Sequence, residues 1–373
     1  MDSEVESMHY DVVIVGAGPG GCMAARRLVL AGFKVLLVEK SELPREKPCG
    51  GFISPEAVEM IEESFGPLPG DCLAHPAEVL GARLLVEGGG QYELPFSAPG
   101  RSVLRSRMDA HLVERCGAEV MVASEVESFD MERFHVRAEI KTREGEVGIE
   151  STYMVGADGA DSLVSRLLRP EFHRLYAQPG LERTMMVLTA GEIDWDPEWI
   201  GLVFLKEGKG IGRLFLKEGM IGMAVNYDLR CGWKDELGAL LSFLRDRKGL
   251  KPEGEPIRLI SASNRMGAGG HYNLGAGCSF LVGEAAGLLD PWGFGIRLAL
   301  ESGNIAAESL VESAGERMTP HLRYHHRMQG LLDSLQRQRR DLSGRVGDLE
   351  TLSLAGDRSR SARRDRRFIR RRL

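Results

Sequence analysis

Residues 10–32 read YDVVIVGAGPGGCMAARRLVLAG, and residues 33–40 continue FKVLLVEK. The run Val12 to Val15 is apolar and β-branched, the signature of a strand covered on both faces. Gly16, Gly18 and Gly21 follow it with G-x-G-x-x-G spacing, and the segment from Cys22 to Gly32 has helical periodicity. A second apolar strand then ends at Glu39. Each glycine has its own physical role: Gly16 permits a tight turn, Gly18 lets a pyrophosphate approach the backbone, and Gly21 lets helix and strand pack closely. The helix N-terminus favours the anion, and an acid at position 39 is placed to accept from a ribose hydroxyl. Strand, glycine turn, helix, strand and acid together predict a dinucleotide site at the start of the chain.

The length suggests roughly two domains with ample sequence for a large buried core. The chain has 373 residues, 43% hydrophobic and 27% charged, which excludes a disordered chain or a small stapled scaffold. The 46 glycines ask for many close backbone approaches. Six cysteines, scattered with no C-x-x-C pair, support neither a disulfide frame nor a zinc centre, and a reducing cytosol is expected. No metal site is expected, because His321, His325 and His326 lie on a polar helical stretch without partners at ligand spacing and read as solvated. No H-E-x-x-H, G-x-S-x-G or Walker A pattern occurs, and no apolar run reaches the ~18 residues of a spanning helix. Net charge is −6, yet residues 357–373 carry nine Arg against two Asp, leaving −13 on the remainder.

Two later segments decide which dinucleotide is bound. MVGADG (154–159) closes a set of alternating strands, and FLVGEAAG (280–287) is a strand running into small residues. With the first motif, these resemble the three markers of FAD-dependent oxidoreductases of the para-hydroxybenzoate hydroxylase fold. EKPCGGFISPEAV (46–58), RSRMDAHL (105–112) and GEAAGLLDPWGFGIRLALESG (283–303) further resemble the geranylgeranyl reductase family, which saturates prenyl double bonds with reduced FAD. The implied fold class is α/β (α+β): a Rossmann-like FAD-binding domain with an inserted antiparallel-sheet substrate domain. We expect residues 8–75, 102–166 and 266–312 to form the FAD domain and 76–101 with 167–265 the substrate domain. A helical region over 313–356 and a basic tail, 357–373, complete the chain.

The resemblance implies FAD contacts from Gly16, Gly18, Gly21, Glu39, Lys40, Cys49, Gly50, Gly51, Arg105, Val126 (near the adenine), Asp158, Gly283, Glu284, Gly293, Gly295 and Ile296. Glu284 departs from the family, which usually has Asp there. Cys49 matches a family position implicated in reductase activity and is the candidate catalytic residue; apart from the family it reads as a small buried hydrophobe. Substrate-lining candidates are Arg213, Phe215, Trp292 and Phe294. The stretch IGRLFLK (211–217) lacks the aromatic wall of the family's Y-x-W-x-F-P-K-like segment, and an Arg in a hydrocarbon tunnel is costly unless paired.

Only one dinucleotide fingerprint occurs, so the electron donor is expected to be NAD(P)H or a ferredoxin-like protein, bound transiently. Three functions stand: a reductase of prenyl or other hydrophobic substrates, a flavin monooxygenase acting on an aromatic or amine-bearing substrate, or a non-catalytic FAD-binding electron-transfer module. A hydrophobic small molecule is the expected partner, and the Arg-rich tail suggests peripheral contact with anionic membrane. Nucleic acid is disfavoured, because Phe368 is the tail's single aromatic available for stacking.

Overall fold

The computed structural model describes residues 8–132, 135–205, 211–227, 232–313 and 319–355, with side chains in the last helix described to residue 341. The basic tail, Cys231 and most of the glycine segment 208–212 lie outside the described residues. The chain opens with β1 (Met8–Val15), α1 (Pro19–Leu30) and β2 (Val35–Val38), then a short β3 (Phe52–Ile53) and α2 (Pro55–Phe65). Two long strands, β4 (Leu73–Val86) and β5 (Gln91–Val103), precede α3 (Arg105–Cys116), β6 (Glu119–Met121) and the meander β7 (Glu125–Glu132), β8 (His135–Lys141), β9 (Glu146–Gly156). After α4 (Leu163–Leu168) and α5 (Pro170–Phe172) come β10 (Leu181–Glu192), β11 (Trp199–Phe204), β12 (Ile211–Lys217), β13 (Met220–Tyr227), α6 (Lys234–Lys248) and β14 (Lys251–Asn264). β15 (Gly275–Ala276), β16 (Ser279–Leu281), α7 (Ile296–Glu312) and α8 (Pro320–Ala355) end the described chain.

Two sheets organise these elements. In the first, β16, β9, β1, β2 and β6 run parallel in that order, and β7 and β8 attach to β9 as the predicted meander. Val12, Val13 and Ile14 are fully buried, as a central strand with both faces covered requires. In β8 the buried residues Val136, Ala138 and Ile140 alternate with exposed ones, so one face of the meander is wet. The second sheet has the order β14-β10-β13-β12-β11-β4-β5-β3, antiparallel except where β11 joins β4. One of its faces is covered by Leu237, Leu240 and Leu244 of α6, which pack with Leu214 and Met223. The other carries Met186, Phe215 and Ala224 and faces the first domain.

Glycine contacts fix how the first domain closes. A Cβ on Gly303 of α7 would stand 2.3 Å from the Gly20 carbonyl oxygen, and one on Gly20 would stand 2.9 Å from the Ala299 carbonyl. Only glycine lets α1 and α7 approach so closely, and the N-terminal residues of both helices line the same cavity. Helix α8 packs on α7, with the buried Tyr324 hydroxyl donating to the Leu281 carbonyl at 2.7 Å. The expected solvation of His321 and His325 is therefore corrected. His321 is half-buried with its ring edge-on to Phe280, and His325 lies against His321; His326 alone of the three is exposed. Among the described residues no group of His, Cys, Asp and Glu has metal-binding geometry, and no helix is long and apolar enough to cross a membrane.

Candidate active site

A single cavity runs from Gly18 at the start of α1 to Met186 and Phe215 on the second sheet. Its first end is built as an anion cradle. Gly18 caps α1 without a side-chain hydrogen bond, leaving the first-turn amides open, and a Cβ added to Gly18 would meet nothing within 4 Å. The other motif glycines are structural, since a Cβ on Gly21 would lie 2.0 Å from the Gly16 carbonyl and one on Gly16 would lie 2.5 Å from that of Ala157. Gly295 caps α7, again without a side-chain bond, and Gly293, Gly295 and Ile296 line the same cavity. Two long helices thus present uncapped N-termini to one space, each with roughly half a positive charge. An extended ligand with a pyrophosphate at one end and an electron-accepting ring at the other fits this arrangement, as FAD does.

The predicted contacts divide into those facing the cavity and those used within the chain. Cys49, Gly50, Gly51, Arg105, Gly283, Glu284 and Phe294 line it, with Arg213 and Phe215 beyond. Glu39 is buried and accepts from the amides of Ala17 and Ser41, both at 3.0 Å, so its carboxylate holds the glycine turn from behind. Asp158 likewise spends its oxygens inside, on the Ser162 hydroxyl at 2.6 Å and the Val164 amide at 3.1 Å, capping α4; Ala157 and Gly159 beside it line the cavity instead. Val126 is buried in the meander core, and Lys40 is exposed. Trp292 is absent from the cavity wall and packs with Phe294, Leu84 and Leu202, while its carbonyl receives Arg213. The reason is local: Asp290 accepts from the amides of Trp292 and Phe294 at 2.9 and 2.7 Å, folding the loop so that the indole turns toward β4. Burial raises Asp290 to about 6 against those two hydrogen bonds.

Around Cys49 the electrostatics are specific. Burial would raise its thiol, but the Arg105 guanidinium, the Gly51 amide at 3.4 Å and Lys217 outweigh it, and the pKa falls below the ordinary cysteine value. Arg105 is itself held by Asp109 through two bonds, Nε to Oδ1 at 3.0 Å and Nη2 to Oδ2 at 2.9 Å, and Arg45 reaches Asp109 at 3.0 Å. Phe215 packs beside Gly50, whose added Cβ would be 3.5 Å from the ring, so glycine brings the Cys49 segment close to the aromatic side chain. Glu284 is raised by burial, with Lys47 and the Asn264 amide opposing, and Lys47 is lowered chiefly by burial.

Sequence reasoning missed Lys47, Asn226 and Asn264. Lys47 lies in the quoted EKPCGG stretch and is legible there, whereas Asn226 and Asn264 join the site only through strand register. Asn226 sits opposite Thr184 on β10, and Arg213 opposite Ala224, two residues before it on β13. Arg213 donates to Asn226 at 2.9 Å and to the Trp292 carbonyl, so this cation is hydrogen-bonded rather than bare in an apolar wall.

Comparison with known proteins agrees with this geometry. Residues 9–179 match the sequence profile of a FAD binding domain. The chain is 28% identical over 347 residues to a menaquinone reductase of Mycobacterium tuberculosis (strain ATCC 25618 / H37Rv), covering 84% of this chain and 79% of that protein. It is 29% identical over 325 residues to digeranylgeranylglycerophospholipid reductase 1 of Methanopyrus kandleri, covering 83% and 82%. A crystal structure of a geranylgeranyl bacteriochlorophyll reductase-like protein from Thermoplasma acidophilum superposes with a TM-score of 0.75 at 24% identity, covering 89% of this chain and 85% of that one. The chain is an FAD-dependent oxidoreductase with the para-hydroxybenzoate hydroxylase-like fold, similar over most of its length to reductases of the geranylgeranyl and menaquinone types.

Proposed function

We propose that this oxidoreductase saturates a carbon–carbon double bond of a hydrophobic, prenyl-bearing substrate. The observation that carries the reading is the single cavity joining the two helix N-termini to a wall of Met186, Phe215 and Ala224, with Cys49 between them. When bound in its reduced form, FAD supplies a hydride to one alkene carbon. The protein's share is to place the second carbon near a proton and to keep water out. Cys49 is the candidate proton carrier at Sγ, since a thiol below its ordinary pKa releases its proton more readily. Arg105 holds the resulting thiolate, and Asp109 fixes Arg105 from behind. The names of the reductase relatives support an alkene or quinone-linked substrate, and NAD(P)H or a ferredoxin-like protein stands as the proposed donor. Peripheral association with anionic membrane remains a proposal on the charge of the tail alone.

The test uses the purified flavoprotein, reduced without oxygen and mixed with a prenylated lipid. Flavin reoxidation with a two-hydrogen mass gain in the lipid is expected, and Cys49→Ala should slow it at least about tenfold with FAD content unchanged. Rapid oxygen consumption with an oxygenated product and no mass gain of two would instead assign the monooxygenase chemistry.

A further inference from the structure

Arg213 is half-buried and lines the cavity, yet among the described residues no carboxylate oxygen lies within ion-pair distance of it. Its orientation is fixed. Nε and Nη2 donate to the Trp292 carbonyl at 3.3 and 3.1 Å, and Nη1 donates to Asn226 Oδ1 at 2.9 Å. Asn226 is anchored in turn, donating to Glu182 at 2.9 Å and accepting from the Thr184 hydroxyl at 3.1 Å. A guanidinium has five N–H groups, so three contacts leave two without an acceptor. Two acids attract it from beyond ion-pair distance: Asp290, whose Oδ1 accepts from two loop amides, and Glu182, which accepts from Asn226 and stands 3.7 Å from Arg265. Burial, with repulsion from Arg265, pulls Arg213 down to about 10. A half-buried cation whose opposite charges stand beyond ion-pair distance is only partly compensated, and an accepting oxygen brought by a ligand completes its hydrogen bonding.

The position is also informative. A Cβ on Gly293 would fall 2.0 Å from Arg213 Nη2, so the guanidinium lies directly against the loop before α7. It therefore stands at the α7 end of the cavity, while Met186, Phe215 and Ala224 offer apolar wall. We propose that Arg213 is a specificity-determining residue that binds a strongly accepting oxygen, a carbonyl or a carboxylate, on an otherwise apolar substrate. A purely hydrocarbon prenyl chain would leave those two N–H groups unsatisfied. This proposal rests on the reductase reading only in taking the same cavity as the substrate site.

The experiment measures equilibrium binding to the FAD-loaded protein, read from flavin absorbance and from tryptophan fluorescence, since Trp199 lines the cavity. Three probes share one farnesyl chain: farnesyl-1,4-naphthoquinone carries carbonyls, farnesoate carries a carboxylate, and farnesylnaphthalene carries neither. Arg213→Gln should weaken binding of an oxygen-bearing probe about 10- to 100-fold, the loss expected for a charge-assisted hydrogen bond, while farnesylnaphthalene changes less than about threefold. Whichever of the first two probes shows the larger selective loss identifies the oxygen type. Arg213→Lys keeps the charge but not the planar fork, and should lose roughly three- to tenfold, again only for the oxygen-bearing probes. It decides the matter if Arg213→Gln fails to retain FAD. Equal losses for all three probes, or none, overturn the proposal, because a merely structural Arg213 does not distinguish them. Selective binding without reduction would refute the reductase reading and leave this one standing; reduction of farnesylnaphthalene by the unaltered protein, with no Arg213 selectivity, would do the reverse.

Discussion

Glu39→Gln separates two roles that the glycine motif leaves entangled. In the structure the carboxylate accepts from Ala17 N and Ser41 N, one amide per oxygen, and Arg45 stands 3.5 Å from Oε1. Glutamine retains one accepting oxygen, and its NH2 group meets the other amide donor to donor. A buried donor left without a partner costs about 1–3 kcal/mol, and weakening the remaining charge-assisted bond brings the total to about 2–4 kcal/mol. Unfolding entropy near 2.1 cal/mol/K per residue gives about 0.8 kcal/mol/K for 373 residues, so the midpoint should fall by about 3–5 °C. The measurement is thermal unfolding of the apoprotein by circular dichroism, with FAD stripped before comparison. If the apoprotein melts unchanged and only FAD affinity drops, Glu39 faces the ligand and our account of it is wrong.

Two further outcomes follow from contacts described above. Gly18→Val should yield a colourless protein whose apoprotein melts like the parent, because its Cβ meets no protein atom, whereas Gly21→Val should lose the fold along with the flavin. A yellow Gly18→Val protein would contradict the cradle. Burial lowers His321 to about 4 and His325 in the same direction, so below the ordinary histidine pKa the unfolded chain binds more protons than the folded one. Stability contributed by this pair is present above about pH 6.5 and is lost as pH falls toward about 4. The difference in melting temperature between about pH 7 and about pH 4.5 should therefore shrink in His321→Gln, and an unchanged difference would remove the histidine from the account.

Local pattern makes the parallel strands, the meander and the cavity glycines legible, because a buried strand and a glycine turn are written in consecutive residues. The site's polar side is less legible. An acid at a strand end suits a cofactor contact, and Asp158 and Glu39 read that way, but a carboxylate next to free backbone amides is drawn inward to them. Val126 has the burial of a meander strand, and nothing in its neighbours distinguishes a core valine from one against adenine. His321 and His325 read as solvated because α8 is polar by composition; the packing of His321 against Phe280 depends on a strand distant in the chain. Asn226 enters the site through the pairing of β10 with β13, which sequence periodicity does not encode.

Strand β12 reaches main-chain carbonyls with two of its side chains, one on the loop before α7 and one at the end of β5 in its own sheet. Arg213 closes on the Trp292 carbonyl and Lys217 on the Val103 carbonyl at 2.6 Å. Both acceptors are main-chain atoms, which every residue type supplies. The receiving half of each contact is thus available from any residue type, and the donating half depends on one side chain of β12. A chimera that imported a relative's loop before α7, at the same length, would still offer Arg213 a carbonyl, whereas one that imported β12 alone would bring its own side chain to that contact. Divergence in the loop before α7 leaves that contact intact, and divergence at Arg213 changes the contact and the cavity wall together.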